Sequence, residues 1–159
     1  ETVPNTLGLN VLVDYAHTPD ALETAISSLR ELTAGKVITV FGCGGDRDKS
    51  KRPEMARAVH GNADITIVTS DNPRSEDPHH IVSDILTGIP SGRPENSVIV
   101  EIDRQKAIEK ALALATPADV VLIAGKGHET VQVIGSESLA FDDVAVAQQL
   151  MNTMEAASR

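Results

Sequence analysis

Residues 37–53 read Val37-Ile38-Thr39-Val40-Phe41-Gly42-Cys43-Gly44-Gly45-Asp46-Arg47-Asp48-Lys49-Ser50-Lys51-Arg52-Pro53. The opening run is largely apolar, which is typical of a strand that is buried on both faces. Glycines and then charges follow it, and Pro53 suits the first position of a helix. Ligands of open α/β sheets bind at the carboxyl ends of strands, so this loop is a candidate site. It matches neither the phosphate loop nor the dinucleotide fingerprint, and a tight turn is the alternative interpretation.

Length and composition indicate one folded domain with its own apolar core. The chain has 159 residues, of which 41% are hydrophobic, enough to bury a full core. A net charge of −9 argues against nucleic acid as the main partner. The basic residues are clustered instead, a pattern that favours a local anion site; they are Arg47, Lys49, Lys51 and Arg52.

The single cysteine and the lack of long apolar runs bear on location. Cys43 has no partner for an intrachain disulfide, which is compatible with a reducing compartment. No apolar run approaches transmembrane length. We therefore expect a cytoplasmic chain with no membrane partner.

Apolar runs alternate with helical patterns along the chain. Strands are predicted at 9–13, 36–41, 65–69, 98–102 and 120–124. A helix is predicted after each of the first four strands, and a last helix after Asp142. A further strand at 131–134 follows too closely for a helical crossover and is expected to pair antiparallel. A Gly- and Pro-rich loop is predicted at 88–96. The pattern predicts an α/β fold with a doubly wound, mainly parallel, Rossmann-like sheet of about six strands and helices on both faces.

Four polar clusters follow predicted strands, at 14–17, 42–52, 71–74 and 125–129. Because the carboxyl ends of parallel strands meet at one edge of a sheet, we expect these clusters to lie together.

The cluster Asp71-Asn72-Pro73-Arg74 offers an acceptor, an amide and a guanidinium on a backbone stiffened by proline. Arginine pairs with carboxylates and aspartate with ammonium groups, so together they can recognise an amino acid. With Arg47 and Glu129, the site could hold two carboxylates and two ammonium groups. An Asx-type turn with a solvent-exposed arginine is the alternative.

The remaining clusters are less specific. Asp14 could accept hydrogen bonds from ribose hydroxyls, with His17 as a second polar group, or it could be solvated in a loop that begins a helix. Thr18 and Pro19 are expected to start that helix. The histidines have no ligand spacing with Cys43, so no metal site is predicted.

Four motifs in this order resemble the C-terminal domain of the Mur ligases, and among them the members that add meso-2,6-diaminopimelate. The motifs are Asp14-Tyr15-Ala16-His17-Thr18-Pro19-Asp20-Ala21-Leu22, Phe41-Gly42-Cys43-Gly44-Gly45-Asp46-Arg47-Asp48-Lys49, Asp71-Asn72-Pro73-Arg74 and Gly125-Lys126-Gly127-His128-Glu129. The resemblance implies ATP-driven amide formation through an acyl phosphate, in the synthesis of a peptidoglycan precursor.

The resemblance also implies a set of site residues. Those that would bind diaminopimelate are Arg47, Asp71, Asn72, Pro73, Arg74, Gly125 and Glu129. Asp14 and His17 would face ATP, and no residue of the chain is assigned a catalytic role. The implied partners are ATP, Mg²⁺ and a UDP-N-acetylmuramoyl dipeptide.

Some features depart from that family. No Gly-x-x-x-x-Gly-Lys-Ser/Thr phosphate loop occurs in the chain. We therefore expect one domain, 1–159, of a three-domain ligase whose central domain binds most of the ATP and Mg²⁺, and expect the chain alone to be inactive. Ser50 stands where glycine is common, and Val144-Ala145 where Arg-Glu is frequent. The alternatives are a related ligase of the folylpolyglutamate or cyanophycin type, or a non-catalytic module that binds an anion or nucleotide.

Overall fold

A parallel sheet of five strands forms the centre of the molecule. The computed structural model describes residues 1–94 and 97–158. The strands are β1 (Asn10–Asp14), β2 (Val37–Phe41), β3 (Ile65–Val68), β4 (Val98–Val100) and β5 (Val120–Ala124). Their spatial order is β1-β5-β2-β3-β4, and all neighbours are parallel. β5 therefore lies between the first two strands of the chain.

Helices cover both faces of this sheet. They are α1 (Pro19–Leu32), α2 (Lys51–Asn62), α3 (Pro78–Leu86), α4 (Arg104–Leu114) and α5 (Asp143–Ala157). α1, α2 and α3 pack on one apolar core, and α4 and α5 on the other. Successive β2 residues alternate between the cores, with Phe41 in the first and Val40 in the second. The predicted doubly wound α/β fold is confirmed, and no helix within the described ranges is long and apolar enough to cross a bilayer.

The sixth predicted strand does not join the sheet. β6 (Val131–Ile134) instead pairs antiparallel with β7 (Glu137–Ala140), in a separate hairpin. The two-residue turn between them begins at Gly135, whose φ of +60° suits a tight hairpin turn. β7 was not predicted, because its four residues are all exposed and show no apolar alternation. The expected antiparallel pairing is thus present, but in a two-stranded sheet of its own.

Two helix starts illustrate what the sequence predicts well and poorly. Thr18 caps α1 by accepting a hydrogen bond from the Ala21 N–H, as predicted. The prediction that Pro53 opens α2 is wrong, since the helix begins at Lys51. Pro53 is its third residue, where a missing N–H still costs no intrahelical bond.

The predicted loop at 88–96 connects α3 to β4, and its residues 95 and 96 lie outside the described residues.

Candidate functional site

The polar clusters meet in a cleft of about 390 Å³ at the carboxyl ends of β2, β3 and β5. Most of the predicted site residues line it, namely His17, Arg47, Asp71, Asn72, Arg74, Gly125 and Glu129. Two do not: Pro73 is buried in its loop, and Asp14 lies on an adjoining open groove that also reaches His17. The expectation that the clusters share one edge of the sheet is confirmed.

Two loops form a single surface on one side of the cleft. The Gly45 N–H donates to the Asn72 carbonyl at 2.8 Å, and Arg74 Nη1 donates to the Gly45 carbonyl at 2.9 Å. Ser75 Oγ also donates to Asp46 Oδ1, at 2.6 Å. A Cβ at Gly45 would lie 1.8 Å from the Pro73 carbonyl oxygen. Glycine is therefore required where the loops touch.

Arg74 has a left-handed backbone, with φ of +53°. This conformation costs a residue with a Cβ roughly 1–2 kcal/mol. The hairpin holds it in place, because the Arg74 N–H donates to the Val133 carbonyl at 3.0 Å and Gly135 donates to the Arg74 carbonyl at 2.7 Å. Backbone strain of this kind concentrates at functional sites, where the surrounding structure maintains it.

Two arginines of the cleft, Arg47 and Arg74, form no ion pair among the described residues. Arg47 and Arg74 both lie beside Gly44, where an added Cβ would lie 3.5 Å from Arg47 Cγ and 2.9 Å from Arg74 Nη1. Within the described part of the chain, neither guanidinium is within ion-pair distance of a carboxylate. Both can therefore attract an anionic group of a ligand.

The basic cluster has fewer free cations than the sequence-based prediction of an anion site assumed. Arg52 is 1% exposed and pairs with Glu76 at 2.8 Å and with Asp84 at 2.9 Å. Lys49 also lies 3.7 Å from Glu76. Arg52 donates in addition to the Gly44 carbonyl at 3.2 Å, so its role is to hold the glycine loop.

Asp71 supplies a buried negative charge. It is 8% exposed and lines the cleft, yet among the described residues nothing donates a hydrogen bond to its carboxylate. Burial raises its pKa, whereas the charges of Arg104 and Lys126 act in the opposite direction. Gly125 leaves room for it, because a Cβ there would lie 2.7 Å from Asp71 Oδ2. A buried carboxylate without a hydrogen-bond donor is stabilised when a cationic donor of a ligand binds it.

A buried ion pair that the sequence did not indicate supports the floor of the cleft. Arg104 binds Asp143 through two hydrogen bonds of 2.8 and 2.7 Å, and both side chains are fully buried. The guanidinium also donates to the carbonyls of Ser70 and Ala124, at 3.3 and 3.1 Å. Those residues directly precede Asp71 and Gly125 in the chain. The pair joins residues 39 apart and has no local sequence signature.

Cys43 lines the cleft, but its buried thiol is a poor nucleophile at neutral pH. Burial, with the charge of Asp71, raises the pKa of its thiol to about 12. The thiol is therefore protonated at neutral pH, which disfavours thiolate chemistry.

The residues after β1 form a separate small cluster. Asp14 Oδ1 accepts from the Ala16 N–H at 2.7 Å, so this carboxylate also stabilises the turn into α1. The Tyr15 ring lies 4.5 Å from that of His17 and 5.6 Å from that of His128. The two interpretations of Asp14, as a ligand group or as a solvated turn residue, are both compatible with this position. In residues 1–94 and 97–158 no group of three or more His, Cys, Asp or Glu side chains is placed to hold a metal ion.

Comparison with known proteins decides the family. The sequence model for "Mur ligase, glutamate ligase domain" matches residues 1–127. The chain belongs to the Mur ligase family. The resemblance stated from the four motifs is thereby confirmed.

Curated members with similar sequences are named UDP-N-acetylmuramoyl-L-alanyl-D-glutamate–2,6-diaminopimelate ligases. The Clostridioides difficile protein is 50% identical over 154 residues, which cover 97% of this chain and 31% of that protein. The Xanthomonas oryzae pv. oryzae protein is 55% identical over 141 residues, covering 89% of this chain and 28% of that protein. The chain thus spans less than a third of the length of these family members.

Two solved structures that superpose on this chain show different degrees of similarity. A structure of a ligase with that name superposes with a TM-score of 0.91 at 39% identity, covering 98% of this chain and 31% of the other. A folylpolyglutamate synthase/dihydrofolate synthase from Yersinia pestis, complexed with AMPPNP and Mn, superposes at 0.59 with 18% identity, covering 100% of this chain and 30% of that one. The second likeness establishes a shared fold only.

Proposed function

We propose that the chain is the C-terminal domain of an ATP-dependent ligase that adds meso-2,6-diaminopimelate to UDP-N-acetylmuramoyl-L-alanyl-D-glutamate. Its role is to bind the incoming amino acid and to close over ATP. The observation that carries the proposal is the pairing of opposite charges in one cleft: an unpartnered buried carboxylate, Asp71, and two unpaired guanidinium groups, Arg47 and Arg74.

Diaminopimelate has two carboxylates and two ammonium groups, and the cleft offers complementary charges for one end of it. Arg74 would hold the distal carboxylate through two parallel N–H donors, with Arg47 as a second cation. Asp71 and Glu129 would accept from the ammonium group, and Gly125 leaves space beside Asp71. Lysine lacks the distal carboxylate, so it would leave Arg74 without a partner.

The other end of the amino acid must reach the acyl phosphate formed from ATP. We place ATP on the side of Asp14 and His17, whose groove adjoins the cleft at His17. Asp14 Oδ2 has no hydrogen bond among the described residues and could accept from a ribose hydroxyl. Mg²⁺ and the phosphates would be held mainly by a central domain, because this chain has no phosphate loop. The proposed location is the cytoplasm.

An incorporation assay on the full-length protein that contains this chain tests the proposal. UDP-N-acetylmuramoyl-L-alanyl-D-glutamate, ATP and Mg²⁺ are supplied with either meso-diaminopimelate or L-lysine, and the product is identified by mass. We expect the diaminopimelate product to dominate. Equal use of lysine would refute the substrate assignment, and incorporation of glutamate onto a folate would favour the folylpolyglutamate alternative. Binding of ATP or diaminopimelate without any product would favour the non-catalytic module.

A further inference from the structure

A lysine ammonium lies fully buried beneath the acidic side of the cleft. Lys126 is 0% exposed, and its Nζ donates to Asn72 Oδ1 at 3.1 Å, Glu129 Oε2 at 3.2 Å and the Val131 carbonyl at 2.6 Å. All three donors of the ammonium group are thus used. Lys126 does not line the cleft, whereas Asn72 and Glu129 do.

These contacts fix the orientation of the Asn72 side chain. Its Oδ1 accepts from both Lys126 and the Val133 N–H, the latter at 3.0 Å. The amide nitrogen must then face the other way, where it donates to Glu129 Oε2 at 3.1 Å. Glu129 Oε2 therefore accepts from two donors, and Oε1 is the oxygen left for a ligand.

Lys126 also balances charge in this part of the site. Two carboxylates, Asp71 and Glu129, line the cleft, and the nearby Arg104 is already paired with Asp143. Buried charges are tolerated when they are paired and hydrogen-bonded. Lys126 is the cation that directly compensates Glu129.

We propose that Lys126 is a positioning residue for amino-acid binding, which acts through Asn72 and Glu129 and does not touch the substrate. The inference rests on the proposed function. Removal of the ammonium would leave Asn72 Oδ1 with the Val133 N–H as its remaining donor, which weakens the hold on the amide, and would leave Glu129 without its counterion. The binding of the substrate ammonium group would then weaken, whereas the ATP side, which lies near Asp14, would be unaffected.

The test uses Lys126→Met in the full-length protein, with Lys106→Met as the matched control, because Lys106 is exposed on α4. We expect the KM for diaminopimelate to rise by about 10- to 100-fold, the scale of one lost charge-assisted hydrogen bond, with the KM for ATP changed less than about twofold. The control should match the wild type. An unchanged KM for diaminopimelate, or equal rises for both substrates, would overturn the inference.

The pH profile of kcat/KM distinguishes a positioning role of Lys126 from a merely structural one. The charged groups that act on Asp71 are Lys126 and Arg104, which lower its pKa, and Glu129 and Asp143, which raise it. Loss of the Lys126 cation should therefore shift the acid limb of kcat/KM for diaminopimelate to higher pH. An acid limb at the wild-type position would count against the proposal.

A double-mutant comparison tests whether Lys126 acts through Glu129. Because Lys126 acts through Glu129, the rise in KM for Lys126→Met with Glu129→Gln should be smaller than the product of the two single effects. Independent, multiplicative effects would contradict the proposal. Should thermal melting show that Lys126→Met is unfolded, Lys126→Gln, which retains N–H donors but no charge, is measured by the same criteria. Failure of the wild type to incorporate diaminopimelate refutes the proposed function instead, so the two failures are distinguishable.

Discussion

Replacement of Arg74 by alanine is the sharpest test of how the cleft would distinguish diaminopimelate from lysine. A charge-assisted hydrogen-bonding group contributes about 1.5–3 kcal/mol, so its loss should lower kcat/KM for diaminopimelate by roughly 10- to 150-fold. Activity with lysine should not fall, because lysine has no distal carboxylate. The ratio of the two kcat/KM values should therefore collapse by the same factor, while the KM for ATP stays constant.

The left-handed backbone of Arg74 allows binding and folding effects to be separated. Alanine at φ of +53° retains the backbone strain, whereas glycine relieves roughly 1–2 kcal/mol of it. Both substitutions remove the guanidinium and its hydrogen bond to the Gly45 carbonyl. We expect Arg74→Gly and Arg74→Ala to lose the same selectivity, with the glycine variant melting at a higher temperature or no lower.

The assay is steady-state phosphate release by the full-length protein with each amino acid in turn, together with thermal melting. Arg57→Ala is the matched control, because Arg57 is exposed on α2 outside the cleft. Arg74→Lys should recover only part of the selectivity, since a single ammonium cannot supply two parallel donors. If Arg74→Ala retains its full preference for diaminopimelate over lysine, Arg74 does not bind the distal carboxylate and the reasoning is refuted.

Three further predictions concern the loops and the thiol. Gly45→Ala should lower the free energy of unfolding by about 1–3 kcal/mol or more because its Cβ meets the Pro73 carbonyl, whereas Gly61→Ala, with nothing within 4 Å, should be neutral or stabilising in urea denaturation. The hydrogen bond from Arg52 lowers the pKa of Glu76 from its usual 4.5 to about 2. The stabilisation of the fold by ionised Glu76 is therefore complete above about pH 4.5 and is lost as the pH falls through 2. Glu76→Gln should flatten this dependence of the free energy of unfolding on acid pH. Native Cys43 should react with a thiol reagent at pH 8 about a thousandfold more slowly than the denatured chain; equal rates would show that the thiol is accessible and ionised.

The sequence predicted the strand and helix pattern and most of the cleft because both depend on local order. A parallel sheet brings the residue after each strand to one edge, so Asp71 and Gly125 could be placed together without coordinates. The same reasoning placed Asp14 at that edge, and the structure has it there, at the end of β1, but it lines the adjoining groove and not the cleft itself.

The features that were missed depend on contacts between distant residues. Arg52 carries the same charge as Arg47 and follows it closely, yet one is buried against Glu76 and the other is exposed. Only the packing of α2 against α3 separates their roles. The pairing of Arg104 with Asp143 joins the starts of α4 and α5 and likewise has no local signature. The β6–β7 hairpin, in contrast, could have been recognised from the two-residue Gly-Ser turn between its strands.

The position of β5 in the sheet has a consequence for synthesis on the ribosome. β2, β3 and β4 are neighbours in space and follow one another along the chain, so they can pair as soon as they leave the exit tunnel. β1 is made first but has β5 as its only neighbour in the five-stranded sheet. Residues 1–3 pair with its other edge, but the edge that β5 covers stays open until residues 120–124 emerge. We expect nascent chains whose residues 120–124 are still in the exit tunnel to expose the edge of β2 and to need chaperone protection, whereas chains in which those residues have emerged bury it.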